Sequence, residues 1–363
     1  MKKILFIRTA SDIGGAEILT KNISEKLSNE KDFLLYNYQF PKVINIKNSK
    51  VIKGKSLLEP GSGIKNYILF HILYIFYLKE YKKIRDMIKK ENIDTVIIES
   101  FSDKLILTPL VKNITPKINI IWWEHGPFSN GKWFRFSFHL KYLYIRQVKN
   151  INTIIAVSSK TKEDLISIGV NKNKIKVIYP LVNIKIKVTE KKTEKFCVSF
   201  ISRIEKSKGI YEYIDAFSLI KDSNIIGIIA GSGAETPNLI SYIKNKNLQD
   251  RIKYLGFQKN IIPLLKKSNL VILPSINEGL GLILIESLSL STPILATKIG
   301  GIPEVLEDRV NGMFIKKDPI DIAKKIEYLY KNKSVYNNLV KNSTKSISKF
   351  NSKVIINQWK GIL

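Results

Sequence analysis

The chain has 363 residues, with 60 Lys and Arg against 31 Asp and Glu, and one cysteine, Cys197. That length suits about two domains at ~100–200 residues each, and the ordinary apolar content excludes a disordered chain. A single cysteine excludes an intrachain disulfide framework and a cysteine-rich zinc centre, and it fits a reducing cytosol.

The opening MKKILFIRTASDIGG begins like a signal peptide, but its apolar run is short and passes directly into Ser, Asp and Gly. A strand over Ile4–Arg8 is expected instead. Further strands are expected over Phe33–Tyr38, Thr95–Glu99, Ile118–Trp122, Ile154–Val157 and Lys176–Tyr179. Helical patterns run over Ala16–Ser28, Lys65–Lys90 and Lys160–Ile168, the last with Ser158 or Ser159 available as a cap. The longest apolar candidate for a membrane span, Ile68–Leu78, falls well short of the ~20 residues a span needs. A soluble or peripheral protein is expected.

A polar segment, Lys185–Lys195, reads as a linker. The alternation then restarts, with strands over Phe196–Ile201, Ile225–Ala230, Ile252–Leu255, Leu270–Leu273 and Ile294–Thr297. Helices follow over Tyr211–Ile220, Thr236–Lys246, Ile261–Lys267 and Gly281–Leu290. Short buried strands alternating with helices indicate parallel sheet with right-handed crossovers. The expected architecture is α/β, two Rossmann-like domains facing a cleft: residues 1–184, a linker over 185–195, residues 196–345, and a final helix over 346–363 returning toward the first domain. Ligands of such sheets bind at the carboxyl ends of the strands.

The excess positive charge is unevenly placed. No acidic residue occurs between Glu124 and Glu163, where Lys132, Arg135, Lys141, Arg146 and Lys149 interleave with Trp133, Phe134, Phe136, Phe138, Tyr142 and Tyr144. Basic and aromatic residues mixed along a helix suit an anionic membrane surface. A solvated basic face over core aromatics explains the pattern equally well. No nucleic-acid-binding motif accompanies the charge, so nucleic acid is not expected as a partner.

Several short stretches carry chemistry. Gly14 and Gly15 follow the first strand, and Gly231 and Gly233 follow Ile225–Ala230; each pair opens a helix whose free N–H groups could meet an anion. Either pair alone also fits ordinary turn geometry, and neither completes the G-x-G-x-x-G of nicotinamide or flavin folds. Arg203 and Lys208 stand just after Phe196–Ile201, where a fork and a point charge could hold phosphate oxygens. In NEGLGLILIE, Gly279, Leu280, Gly281 and Leu282 are expected to form a helix N-terminus open to phosphate. Glu286 lies further along that helix among apolar residues, where a carboxylate is tolerable if it accepts from adjacent ligand hydroxyls such as those of ribose. Glu278 stands at the mouth.

These stretches resemble GT-B glycosyltransferases of the retaining family 4 type. The resemblance is carried by Gly14-Gly15-Ala16-Glu17, Glu124-His125-Gly126, Arg203 to Lys208-Gly209, Gly231-Ser232-Gly233, and above all Pro274 to Leu282 ending at Glu286. It covers nearly the whole chain and is strongest over residues 196–316. Ser202 and Leu280 depart from it, standing where the family often has Gly and Phe.

The resemblance implies that Arg203, Lys208 and the amides of Gly279–Leu282 bind the donor diphosphate, that Glu286 holds the ribose, and that Glu278 contacts the transferred sugar. It also implies that His125 lies near that sugar and Gly15 near the phosphates. His125 could equally be a core histidine. The implied reaction moves a sugar from a UDP- or GDP-sugar to a glycan acceptor, with retention and without a metal ion or other cofactor. A polyprenyl-diphosphate-linked intermediate of bacterial surface polysaccharide is the acceptor expected, handled in the cytoplasm or on the inner face of the membrane. The alternatives are a nucleotide-sugar epimerase on the same fold and a non-catalytic nucleic-acid-binding protein.

Overall fold

A computed structural model describes residues 1–8, 15–39, 49–53, 81–126, 138–182 and 194–363. The expected linker, apart from its last two residues, the first part of the helix expected over Lys65–Lys90, the apolar run Ile68–Leu78, Gly14 and residues 132–137 lie outside them. The chain divides into two compact units. The first is Met1–Leu181 together with Ser352–Leu363, and the second is Val182–Asn351.

The first unit is built on a parallel sheet of seven strands: β1 (Lys2–Arg8), β2 (Phe33–Gln39), β3 (Lys50–Lys53), β4 (Thr95–Ile98), β5 (Asn119–Glu124), β6 (Thr153–Ala156) and β7 (Ile175–Val177), in the order β3-β2-β1-β4-β5-β6-β7. Ile4, Leu5, Phe6 and Ile7 are all buried, as a central parallel strand covered on both faces requires. β4 lies beside β1, with Ile4 opposite Thr95 and Ile7 opposite Ile98. β5 follows on the far side of β4, with Thr95 opposite Asn119. Helices Gly15–Leu27, Phe101–Ile114, Phe138–Val148 and Ser159–Ser167 complete the unit, and residues 81–91 are helical. Ser158 caps the last of these, its Oγ accepting from the Thr161 amide at 3.0 Å.

The second unit carries six parallel strands: β8 (Phe196–Ile201), β9 (Ile225–Ala230), β10 (Ile252–Tyr254), β11 (Leu270–Leu273), β12 (Ile294–Thr297) and β13 (Gly312–Ile315), in the order β10-β9-β8-β11-β12-β13. Its core joins Val198, Phe200 and Ile272 from the sheet to Tyr213 and Phe217 of helix Ile210–Leu219 and to Ile322 and Ile326 of helix Pro319–Lys331. Asp318 starts the latter helix by accepting from the amides of Ile320 and Asp321, with Pro319 in the first turn.

Both sheets therefore have the doubly wound order, in which the chain works outward from the first strand and then reverses. The reversal lies between β1 and β4 in the first unit and between β8 and β11 in the second. Crossovers leave those two strands in opposite directions and open a crevice beyond their carboxyl ends.

The final helix, Ser352–Lys360, belongs to the first unit although the chain reaches it only after leaving the second. Trp359 anchors it, with its ring edge-on to Trp123 at 4.8 Å and tilted on Phe6 at 6.4 Å. All three rings are buried. Trp359→Ala is expected to cost about 3–5 kcal/mol in urea unfolding, whereas Ile240→Ala, at a side chain 65% exposed, should stay within ~0.5 kcal/mol.

Candidate functional site

In the second unit the loops after β9, β8, β11 and β12 gather at one edge of the sheet. The loops after β8 and β9 are locked together by backbone: the amide of Ile204 donates to the carbonyl of Ser232 at 3.0 Å, and that of Glu235 to Ile204 at 2.9 Å. Gly231 has a positive φ of +143°, which side chains rarely adopt, and a Cβ there would come within 1.9 Å of the Ser202 carbonyl oxygen. Gly233 lies similarly against Ile204. These two glycines are thus demanded by the packing of one loop on the other.

Arg203 projects from this loop pair, exposed, with Nη1 2.6 Å from Glu205. Lys208 is buried. Its Nζ donates to the Asn277 carbonyl at 3.0 Å and to Glu278 Oε1 at 2.7 Å, and Ser275 donates to the same oxygen at 2.8 Å. One of the three ammonium hydrogens remains for another acceptor. The loop after β12 closes on the same segment. Gly300, at φ +50°, brings its backbone so near that a Cβ would lie 1.8 Å from the Glu278 carbonyl oxygen.

The structure therefore brings Lys208 and Glu278 into contact across the β8–β11 crevice and holds Arg203 on the β8 side. Helix Leu282–Ser289 begins later than the sequence suggests. Gly279 and Leu280 form a bend and Gly281 is the N-cap, so the expected helix start over Gly279–Leu282 is corrected to Leu282. Leu280 is buried. Glu286 stands in the second turn, half-buried, and burial pushes its carboxyl up to about 7. Among the described residues nothing pairs with that carboxylate. The side-chain oxygen Oδ1 of Asn277 is also buried without a partner. Leaving a buried acceptor unpaired costs about 1–3 kcal/mol, a cost that a ligand donor would relieve.

The first unit has its own cluster at the β1–β4 reversal. Arg8, the last residue of β1, forks between Glu17 (Nη2, 2.6 Å) and Glu99 (Nη1, 2.9 Å). Glu99, just past β4, also accepts from Thr20 Oγ1 and lies 3.1 Å from His125 Nε2. Gly15 opens the helix that carries Glu17 and Thr20. His125 follows β5 directly, its ring tilted on Trp123 at 4.5 Å. Beneath it, Glu124 faces the core, where it takes Lys104 Nζ at 2.8 Å and the Tyr144 hydroxyl at 2.6 Å. Burial lowers the Lys104 ammonium, and the Glu124 charge opposes that shift; burial also pushes the Tyr144 hydroxyl well above its usual range.

Of this cluster the sequence reading gives roles to Gly15 and His125, and places Glu17 and Glu124 only within the stretches that carry the resemblance. Arg8, Glu99 and Lys104 were missed, although Arg8 and Glu99 stand at the carboxyl ends of buried apolar strands, in LFIR and TVIIE, much as Arg203 stands just after Phe196–Ile201.

The raised Glu286 carboxyl has a consequence for stability. Its folded value lies above the ordinary 4.5, so as pH rises the unfolded chain releases this proton first. Stability is full below about 4.5 and falls as pH climbs toward about 7. Glu286→Gln should remove that loss, on the order of 2 kcal/mol after allowance for partial exposure. Urea unfolding of both proteins on either side of this range checks it; parallel pH profiles would contradict the assignment.

Comparison with known proteins agrees with the fold. The profile for Glycosyltransferase Family 4 matches residues 13–185, and that for Glycosyl transferases group 1 matches residues 182–346. The N-acetyl-alpha-D-glucosaminyl L-malate synthase of Bacillus anthracis is 29% identical over 165 residues, 45% of this chain and 43% of that enzyme. The N,N'-diacetylbacillosaminyl-diphospho-undecaprenol alpha-1,3-N-acetylgalactosaminyltransferase of Campylobacter jejuni is 25% identical over 238 residues, 61% of this chain and 62% of that enzyme. The chain thus spans less than two thirds of the length of either. The crystal structure of Anabaena HepE in complex with UDP and glucose has the same fold, with a TM-score of 0.81 at 20% identity over 99% of this chain and 98% of that one. With a Family 4 domain followed by a group 1 domain on the GT-B fold, the chain belongs to the group 1 glycosyltransferases.

Proposed function

We propose that this glycosyltransferase takes a sugar from a UDP- or GDP-sugar and transfers it, with retention and without a metal ion, to a glycan acceptor. The observation that carries the reading is the set of unspent groups around one crevice of the second unit: the third hydrogen of Lys208, the donors of Arg203 beyond its bond to Glu205, and the unpaired carboxylate of Glu286. Two of these are cationic, and the third is an acceptor suited to adjacent hydroxyls. Diphosphate and ribose supply the matching partners. HepE, with the same fold, was crystallised with UDP-glucose as well as with UDP and glucose.

When the bond from sugar to diphosphate breaks, negative charge grows on the leaving oxygens. Arg203 and Lys208, with the free amides at the start of helix Leu282–Ser289, would offset it with donors already in place. Glu278, held by Lys208 and Ser275 through Oε1, keeps its other oxygen for the transferred sugar. In this reading Gly15 allows close approach of the phosphates, Gly231 and Gly233 let the loop after β9 pack on the phosphate-binding loop after β8, and His125 of the first unit, which takes the acceptor, serves the sugar.

The acceptor is proposed to be a polyprenyl-diphosphate-linked precursor of a bacterial surface polysaccharide, handled at the cytoplasmic face of the membrane. Two observations support this. The C. jejuni relative is named for a diphospho-undecaprenol substrate. Helix Phe138–Val148 also buries Leu140, Tyr144 and Val148 while exposing Tyr142 and Arg146, with Lys149 exposed just beyond it, the basic-aromatic face that suits anionic lipid. No helix among the described residues is long and apolar enough to cross a membrane.

A panel of UDP- and GDP-sugars should raise the melting temperature by several degrees at saturating ligand, and the rise should vanish in Lys208→Ala. No stabilisation by any member would overturn the donor assignment. Vesicles rich in anionic lipid should float with the protein at low salt and release it at high salt, and a Tyr142→Ser/Arg146→Ser variant should bind less. Equal flotation with neutral vesicles would contradict the surface.

A further inference from the structure

The tightest polar constellation outside the proposed donor site is the one around Glu99. Its carboxylate is fully buried and accepts from Arg8 Nη1 at 2.9 Å and from Thr20 Oγ1 at 2.7 Å, and it faces His125 Nε2 at 3.1 Å. Burial alone would raise the Glu99 carboxyl, but the bond from His125 and the charge of Arg8 hold it below its usual range. It is therefore ionised, and an ionised carboxylate can only accept hydrogen bonds. The ring nitrogen that faces it must carry a proton.

The rest of the ring is equally constrained. Burial lowers His125, and the charges of Arg8 and Lys104 lower it further; Glu99 opposes them. Arg8 comes from β1, Glu99 from just past β4, Lys104 from helix Phe101–Ile114, and Glu17 reaches the group through Arg8. A neutral imidazole has one N–H. If that N–H is on Nε2, Nδ1 carries a lone pair, and Nδ1 is buried without any hydrogen-bond partner. The ring is tilted on Trp123 at 4.5 Å, and Nε2 is the nitrogen turned toward Glu99.

We propose that Glu99 is a positioning residue that fixes His125 in its Nε2–H form, so that the ring offers Nδ1 as an acceptor to a substrate hydroxyl. This rests on the reading of His125 as a group that serves the transferred sugar, and it specifies the chemistry of that contact. A lone pair repels phosphate oxygens and pairs with O–H, so His125 recognises a sugar hydroxyl and takes no part in neutralising the diphosphate. Arg8 and Thr20 act one step further out, by keeping Glu99 ionised and in place. Glu17 completes the clamp on Arg8.

Long-range proton–nitrogen correlation spectra of protein labelled with 15N-histidine read the form of the ring directly, with His125→Gln assigning its signals. The wild type near neutral pH should show a neutral ring protonated on Nε2. In Glu99→Gln, whose amide can both donate and accept, this preference should be lost, and release of nucleoside diphosphate from the sugar nucleotide should show kcat reduced about tenfold with KM for the donor little changed. Glu99→Asp should recover part of both. A wild-type ring protonated on Nδ1, a doubly protonated ring, or a Glu99→Gln protein with an unchanged ring or unchanged kcat would overturn the proposal. If no sugar nucleotide is turned over, the transferase reading fails while the ring signals still decide this one.

Discussion

In each unit the chain leaves two adjacent parallel strands in opposite directions, and the two charged clusters of the described residues gather there. Right-handed crossovers cannot cover the ground between β1 and β4, or between β8 and β11, so the carboxyl ends there stay open. The last residue of β1 and the loops after the other three strands carry Arg8 and Glu99 in one unit, and Arg203, Lys208 and Glu278 in the other. Buried charge can be kept in these places because it has a partner from across the divide. Arg8 reaches Glu99, and Lys208 reaches Glu278.

The two clusters use their partners differently. Around Glu99 nearly all capacity is spent: the carboxylate faces Arg8, Thr20 and His125, and what remains unspent is one buried ring nitrogen. Around Lys208 the bonds position the ammonium without exhausting it, and Glu286 has no partner at all among the described residues. The first arrangement specifies the orientation of a group; the second leaves affinity available to a ligand.

Much of the second unit was legible from sequence because its signals are local. The strand Leu270–Leu273 followed by PSINEGLGL marks both the sheet and the loop, and Arg203 and Lys208 stand just beyond an unmistakable apolar strand. The same holds for β1 and its glycines. Helix Phe101–Ile114 escaped because Pro109 lies within it and its core-facing Asp103 and Lys104 disrupt the apolar period. β3 and β13 are edge strands of four residues, too short to stand out by alternation. The Glu99 cluster was invisible for a different reason: its members are separated by up to 117 positions, from Arg8 to His125, and only sheet order brings them together. Gly231 and Gly233 could be seen as glycines in a turn, but their need for space came from the loop after β8, which no local pattern reveals.

The central claim is that the crevice beyond β8 and β11 holds a nucleoside diphosphate with Glu286 on its ribose. Calorimetric titration of wild type and Glu286→Ala, each with the binding nucleoside diphosphate and with its 2′,3′-dideoxy analogue, tests this as a double-mutant cycle. Removing the hydroxyls should weaken wild-type binding by about tenfold or more and change the variant little, because each loss breaks the same bond. Equal losses in both proteins would place Glu286 away from the ribose and contradict the account.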